Sequence, residues 1–309
     1  DPEAREAYQL GRHFFNMQMT DKVRLSIEQF NRAIEIDPDY ALAYFGLADS
    51  WVSLGQLDPE VPWGEGLEKG EEFALKALEI DSTLAEAHAK LGEMLVETAF
   101  DWEAAEKRYE KALRFNPNSA TAHVYYSQLL NYLHRNDEAI DHVLRARKND
   151  PLSQFIAANV IWSYQFAGRN DEALEAYRRA VELDPDNPVI HWAGACAYIA
   201  MRQYDEALAL LHKAASVPEV DAFIAYCQAR LGRRAEAEAY LDGKDESTRP
   251  GLFAAVYMGL GMKDEALECF WTMNYSPGLA WLQINPIFQD LFSDPRFREL
   301  MREKNFPGY

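Results

Sequence analysis

The chain has 309 residues, with 31 Lys or Arg against 50 Asp or Glu, which gives a formal net charge of −19. Nucleic-acid binding requires a basic stripe, and an anionic membrane surface repels an acidic protein, so the composition excludes both as general partners. We interpret the excess acid mainly as solvated helix faces, with recruitment of a basic partner as the alternative. No apolar run reaches the length of about 18 residues that a transmembrane helix needs.

The sequence starts at Asp1 and enters a predicted helix at once, without a signal peptide. We therefore expect a mature product or a piece of a longer protein whose upstream domains are missing. From this point the predicted helices follow one another in pairs.

The second helix of each pair carries a small residue, a larger one and usually an alanine at helical spacing. This apolar stripe predicts eight pairs, over about 4–38, 41–82, 85–117, 120–151, 154–185, 188–218, 219–243 and 250–276. The stripe consists of Ser26/Phe30/Ala33, Gly70/Ala74/Ala77, Ala105/Tyr109/Ala112, Ala139/Val143/Ala146, Ala173/Tyr177/Ala180, Ala207/Leu211/Ala214, Ala237/Leu241 and Ala266/Phe270.

The second pair contains about ten additional residues within 55–70. Pro59, Pro62, Gly64 and Gly66 predict a loop in this segment. We expect Trp63 to pack on its own pair, with a functional lid as the alternative.

The middle of the chain repeats an Asp-Glu-Ala tripeptide every 34 residues, at 137–139, 171–173 and 205–207. In the clearest copy, Gly168 breaks a first helix, Asn170 or Asp171 caps the second, and Pro185 ends it. Repetition at helix starts favours capping and dipole complementarity over acid–base chemistry for these acidic pairs.

The last segment, 277–309, leaves the repeat pattern. Ala280, Trp281 and Leu282 predict a short helix, and Asp294-Pro295 predicts the start of another. We expect the last helix to cover the apolar face of the final pair, as the end of a stacked array requires.

A period of 34 residues with this stripe resembles the tetratricopeptide repeat (TPR). The resemblance implies an all-α TPR solenoid of about eight helix–turn–helix repeats in a right-handed superhelix with a C-terminal capping helix. Five further segments occur in an order that looks like the C-terminal TPR module of bacterial multidomain regulators of the winged-helix, nucleotide cyclase or protein kinase type. These segments are Tyr40–Ala48, Asp101-Trp102, Asn116–His123, Asp150–Ser153 and Ser293–Leu300.

In TPR arrays the first helix of each pair lines a concave groove. The inward positions implied by the family pattern are largely aromatic in the middle of this chain, with a few amides, and aromatic rings are typical binding anchors. The predicted partner-binding residues are Gln128, Asn131, Tyr132, Phe155, Asn159, Trp162, Gln165, Phe166, Trp192 and Tyr226. The fourth to sixth pairs offer no inward Lys or Arg, so capture of an acidic C-terminus is not expected.

The function that follows is a scaffold or regulatory module that binds a protein partner, as a peptide or helix, in this groove. A sensory module that binds an apolar small molecule there is the alternative. We predict no enzymatic activity, cofactor, metal site, nucleic-acid binding or direct membrane binding, whereas self-association is compatible with the leading function.

The cysteines and histidines give little support to catalysis. Cys196, Cys227 and Cys269 are odd in number and lack metal-ligand spacing, which favours buried free thiols over a disulfide framework. They indicate the cytoplasm, or the periplasm if the chain belongs to a membrane-spanning regulator. His88, His123 and His191 share one place on the first helices of the third, fourth and sixth pairs. We expect them to pack there, with a two-ligand metal site at His88 and His123 as the alternative.

Overall fold

The structure, a computed structural model, describes residues 1–17, 19–58, 60–244, 246, 249–273, 279–280, 284–304 and 306. Within these ranges the regular structure is helical and contains no strand, so the all-α prediction is confirmed. The chain divides within one helix into an N-terminal body, Asp1–Tyr125, and a C-terminal body, Tyr126–Tyr309.

The described helices are in most cases separated from the next one by six residues or fewer. They are α1 Pro2–Phe15, α2 Thr20–Ile36, α3 Ala41–Leu57, α4 Trp63–Ile80, α5 Ala85–Ala99, α6 Trp102–Phe115, α7 Ala120–Tyr132, α8 Asn136–Asn149, α9 Gln154–Phe166, α10 Asn170–Leu183, α11 Pro188–Ala200, α12 Tyr204–Lys213, α13 Val220–Arg230, α14 Arg234–Leu241, α15 Pro250–Leu260, α16 Lys263–Thr272 and α17 Pro295–Glu303. A 3₁₀ helix, Pro286–Leu291, precedes α17.

The stripe on the second helices forms the core, as the sequence predicts. Its members are buried in every pair, apart from Tyr177 and Leu241, which are half-buried. Small residues allow the backbones to approach, and the larger residue between them fills the remaining space.

Glycines on first helices make room for the rings of this stripe. A Cβ atom on Gly11 or on Gly46 would lie 2.6 Å from the ring of Phe30. The ring therefore lies against the first helix of its own pair and against that of the next. In the C-terminal body a Cβ on Gly194 would lie 2.6 Å from the ring of Tyr177. We call these contacts ring sockets.

The segment predicted as a loop at 55–70 is mostly helical. Helix α3 runs on to Leu57 and α4 begins at Trp63, so Gly64 and Gly66 lie inside a helix, and Pro59 lies outside the described residues. The loop prediction is wrong, and at Gly66 the reason is that the glycine serves helix packing. A Cβ on Gly66 would lie 2.7 Å from the carbonyl oxygen of Trp51 and 2.9 Å from the Cα of Gly55. Trp63 packs on its own pair, since its ring would lie 3.2 Å from a Cβ on Gly55.

The Asp-Glu-Ala copies do not cap their helices. Gly168 ends α9 with a φ of +73°, as predicted, but the following Arg169 is then the N-cap residue of α10, without a side-chain cap bond. Three residues, 167–169, separate the two helices, so Asn170 and Asp171 already lie inside α10. The acidic residues lie in the first turn, where their negative charges interact favourably with the positive end of the helix dipole. Arg169 also donates a hydrogen bond to the Glu172 carboxylate at 2.9 Å.

The C-terminal helix covers the final pair. Asp294 caps α17 by accepting the backbone N–H of Arg296 at 2.9 Å, which confirms the predicted start. The buried ring of Phe297 meets that of Phe270 on α16 at 5.5 Å between centroids. Trp281 and Leu282, expected in a short helix, lie outside the described residues.

Three histidines on first helices share one contact, in which Nε2 lies at hydrogen-bond distance from the backbone carbonyl six residues earlier. The pairs are His88 with Ser82 at 3.1 Å, His123 with Pro117 at 3.0 Å, and His191 with Pro185 at 2.8 Å. An Nε2–H tautomer therefore closes the turn between consecutive helix pairs. This role explains why a histidine occupies the place of a packing aromatic.

We predict that His191→Phe will destabilise the protein by about 1–2 kcal/mol, because two hydrogen bonds are lost while the ring is kept. The second bond is the one that the hydroxyl of Tyr177 donates to Nδ1 of His191, at 3.0 Å. Guanidinium unfolding followed by circular dichroism measures the change. His212→Phe at the exposed end of α12 is the control and should shift stability by less than about 0.5 kcal/mol. Equal losses for the two variants would contradict the role of the turn contact.

Candidate functional site

The C-terminal body carries a cleft of about 180 Å³ between the first helices α7, α9 and α11. Aromatic and amide side chains line it, and none of the described lining residues is charged. The lining residues are Gln128, Asn131, Tyr132, Asn159, Trp162, Phe166 and Trp192. An apolar surface with a few polar groups is the usual composition of a binding site.

Amide side chains form the polar part of the cleft. Gln128 donates from Nε2 to Oδ1 of Asn159 at 2.8 Å, and Asn159 donates from Nδ2 to the carbonyl of Phe155 at 2.9 Å. Asn131 donates to the hydroxyl of Ser163 at 3.1 Å. Asn131 is 3% exposed, and its Oδ1 has no hydrogen-bond partner among the described residues. An acceptor without a partner among the described residues therefore lies in the wall of the cleft.

Two half-buried indoles form the apolar part. Trp162 and Trp192 meet edge to face, with 5.6 Å between ring centroids and 76° between ring planes. Behind them, Trp192 meets the buried ring of Phe223 at 5.8 Å. Phe223 was not predicted from the sequence, because its role depends on a contact between helices. This packing holds both indoles in fixed orientations.

A thiol lies next to Trp162 but is not reactive. Burial raises the pKa of Cys196 to about 12, although the indole of Trp162 acts on it in the opposite direction. The thiolate is the nucleophilic form, so this group stays inert at neutral pH. Cys227 and Cys269 are also buried as free thiols, as the cysteine count predicts.

The structure brings seven of the ten predicted partner-binding residues into the cleft. Phe155 lies outside the lining with 48% of its surface exposed, and Gln165 is buried. Tyr226 is buried in a different pocket, where it meets the ring of Tyr204 edge to face at 6.1 Å. These three residues do not line the cleft, because their side chains are either buried between neighbouring helices or face outward.

The N-terminal body carries a charged face on its first helices. Arg12 on α1 contacts Asp49 on α3 at 2.9 Å, Asp49 contacts Lys90 on α5 at 3.2 Å, and Lys90 contacts Glu93 at 2.6 Å. The Lys90 ammonium also lies 5.6 Å from the ring centre of Tyr125 on α7. This face was not predicted from the sequence, because the predicted partner-binding residues came from the inward positions of the fourth to seventh pairs alone.

Two pKa shifts describe this face. Burial opposes the charge of Lys90, yet the carboxylates of Glu93 and Asp49, with the Tyr125 hydroxyl, outweigh burial and raise its pKa well above the ordinary value. Burial, followed by the Glu93 carboxylate, raises the pKa of Glu97 to about 8, against a smaller opposing effect of Lys90. The face therefore holds one carboxyl group more than its cations neutralise.

The described residues were also compared with the requirements of a metal site and of a membrane span. In the part of the chain that the structure describes, no group of three His, Cys, Asp or Glu side chains converges as metal ligands would. None of its helices is both long and apolar enough to span a membrane.

Comparisons with known proteins agree with the fold. Residues 99–153 and 167–217 each match a family model described as tetratricopeptide repeat. No curated protein sequence matches the chain. A solved thermophilic TPR protein from Thermus thermophilus is 20% identical and covers 63% of this chain and 99% of its own, with a TM-score of 0.52. PilW, described as a widely conserved type IV pilus biogenesis factor, is 17% identical and covers 78% of this chain and 99% of its own, with a TM-score of 0.51.

Proposed function

Since the chain is a tetratricopeptide-repeat protein, we propose that it acts as a protein–protein interaction module of the scaffold or regulatory type. A partner segment, either a peptide or a helix, binds in the cleft of the C-terminal body. The observation that carries this proposal is the pair of half-buried indoles, Trp162 and Trp192, held edge to face beside uncharged amides. Rigid aromatic anchors of this kind provide most of the binding energy at protein interfaces.

The size of the cleft favours a side chain of a protein over a free small molecule. Its volume of about 180 Å³ is below the roughly 300–1,000 Å³ of typical small-molecule sites. One large apolar side chain buried there contributes about 1.5–3 kcal/mol. Micromolar affinity corresponds to about 8 kcal/mol, so the partner also has to contact surface around the cleft. Binding of an apolar small molecule in the same groove is the second candidate.

The wider context follows from the same proposal. The module belongs to a larger bacterial regulator and acts without catalysis or cofactor. Its sequence consists of the eight repeats given above. Buried free thiols favour the cytoplasm, with the periplasm as the alternative for a membrane-spanning parent protein. Self-association remains compatible with partner binding, and light scattering over a concentration series tests it.

We predict that a Trp162→Ala/Trp192→Ala variant will bind its partner peptides at least about 30-fold more weakly, a loss of about 2 kcal/mol. The peptides are first selected on the native protein from a displayed library of random peptides. Fluorescence anisotropy then compares their dissociation constants for the native protein and the variant, whose helicity is verified by circular dichroism.

Trp271→Ala provides the matched control, because Trp271 is exposed on α16 and does not line the cleft. This variant should keep the native affinity. Peptides that bind the double variant as tightly as the native protein would contradict the proposal, and so would a library that yields no binder.

A further inference from the structure

Helix α5 places three charged side chains on one face of the N-terminal body. Lys90, Glu93 and Glu97 stand three and four residues apart, the spacing at which helix neighbours share a face. Both cations of this face already form ion pairs, since Lys90 contacts Asp49 and Glu93, and Arg12 contacts Asp49. Two cations thus face three carboxyl groups, and Glu97 is the one in excess.

Glu97 is the carboxyl group of this face that has no cation of its own. Its Oε2 is sealed from solvent without a hydrogen bond, and no ion pair to Glu97 occurs among the described residues. A buried carboxylate in this condition is costly unless a cation or a proton neutralises it. The side chains remain within reach from outside, because Glu93 is 19% exposed and Glu97 is half-buried.

We propose that Glu97, together with Glu93, binds a basic side chain of a partner protein on the charged face of the N-terminal body. One helical turn separates the two carboxyl groups, a distance that the forked guanidinium group of arginine or an ammonium group can bridge. The net charge of −19 attracts basic proteins over a long range and so favours this partner. This site is separate from the cleft and does not depend on the function proposed for it.

Proton release accompanies binding at this site. The charged and titratable groups facing the cluster are Lys90 and Glu93 on α5, Asp49 on α3, Arg12 on α1 and Tyr125 on α7. Burial and then the Glu93 carboxylate raise the pKa of Glu97 to about 8, so at pH 7 most molecules carry a proton there. A cation binds the ionised form, so affinity rises as the pH increases through about 8.

The experiment uses the full chain and N-acetyl-arginine-N-methylamide as the probe, with the uncharged citrulline analogue as its control. Carbon-13 NMR follows the side-chain carboxyl resonance of Glu97. We expect saturable shifts with the arginine probe alone and an affinity about tenfold higher at pH 9 than at pH 7, because the ionised fraction rises from about a tenth to about nine tenths.

Two variants complete the test. Glu97→Gln should weaken binding at least tenfold and remove the pH dependence. Glu110→Gln makes the same change of net charge at an exposed position of α6 and should leave binding unchanged. Equal weakening by both variants, equal binding of the citrulline analogue, absence of any shift, or tighter binding of calcium chloride than of the arginine probe would each overturn the proposal. Loss of binding in Glu97→Asp with the fold intact would support the need for the longer carboxyl side chain.

Discussion

Replacing Lys90 with methionine is expected to destabilise the N-terminal body by about 3–5 kcal/mol. The ammonium group is buried between Asp49 and Glu93, at 3.2 and 2.6 Å. Methionine fills a similar volume, so packing is largely kept, but the two carboxylates lose their shared cation in a largely buried site. The penalty is therefore electrostatic. Urea unfolding at pH 8, followed by circular dichroism, measures it, because urea carries no charge that would screen the site.

A control and a change of pH separate charge from packing in this result. Lys76→Met removes an exposed lysine of α4 that contacts Glu79, and it should change stability by less than about 1 kcal/mol. At pH 5 Glu97, whose pKa is raised to about 8 by burial and by the Glu93 carboxylate, carries a proton and needs no cation, so the loss in Lys90→Met should shrink. A loss of the same size at both pH values would show that packing, rather than charge, is responsible.

Replacing Gly66 with alanine is expected to destabilise the protein by about 2–3 kcal/mol, at the upper end of the range for overpacking. The added Cβ would lie 2.7 Å from the carbonyl oxygen of Trp51 and 2.9 Å from the Cα of Gly55. Both are backbone atoms, so no rotamer change can relieve the contact, and α3 and α4 must move apart. Thermal and guanidinium unfolding measure the loss.

Gly64 offers a control two residues away on the same helix. A Cβ there meets nothing within 4 Å, and the residue is exposed. Gly64→Ala should therefore stabilise the protein by about 0.5 kcal/mol through helix propensity alone. If Gly66→Ala were as well tolerated as Gly64→Ala, the close approach of α3 and α4 would be wrong.

The fold was largely predictable from the sequence because each repeat carries the same local information. The stripe of small and large residues on the second helices recurs in every pair, so an error in one pair is corrected by the next. The prediction failed where one residue type serves two purposes. Gly64 and Gly66 signal a loop by composition, but Gly66 provides close helix packing, a contact that depends on the facing Gly55.

The candidate site was predictable to a smaller extent. Periodicity places a residue such as Trp162 or Trp192 on the inward face, and both line the cleft. Periodicity does not tell which inward residues converge, so Tyr226 and Phe155 were grouped with them although they lie elsewhere. The charged face of Lys90 and Glu97 occupies the same inward positions in earlier repeats. The same periodicity, followed along the whole chain, predicts this face as well.

The ring sockets limit how freely this array can exchange or lose modules. A ring and the glycine that receives it often come from different helix pairs, as with Phe30 and Gly46 or Tyr177 and Gly194. Removing the pair that holds Tyr177 would bring Gly194 against α8, where Val143 occupies the corresponding place and leaves the socket partly empty. Neighbouring repeats must therefore diverge together, and the order of the repeats is part of what the sequence encodes.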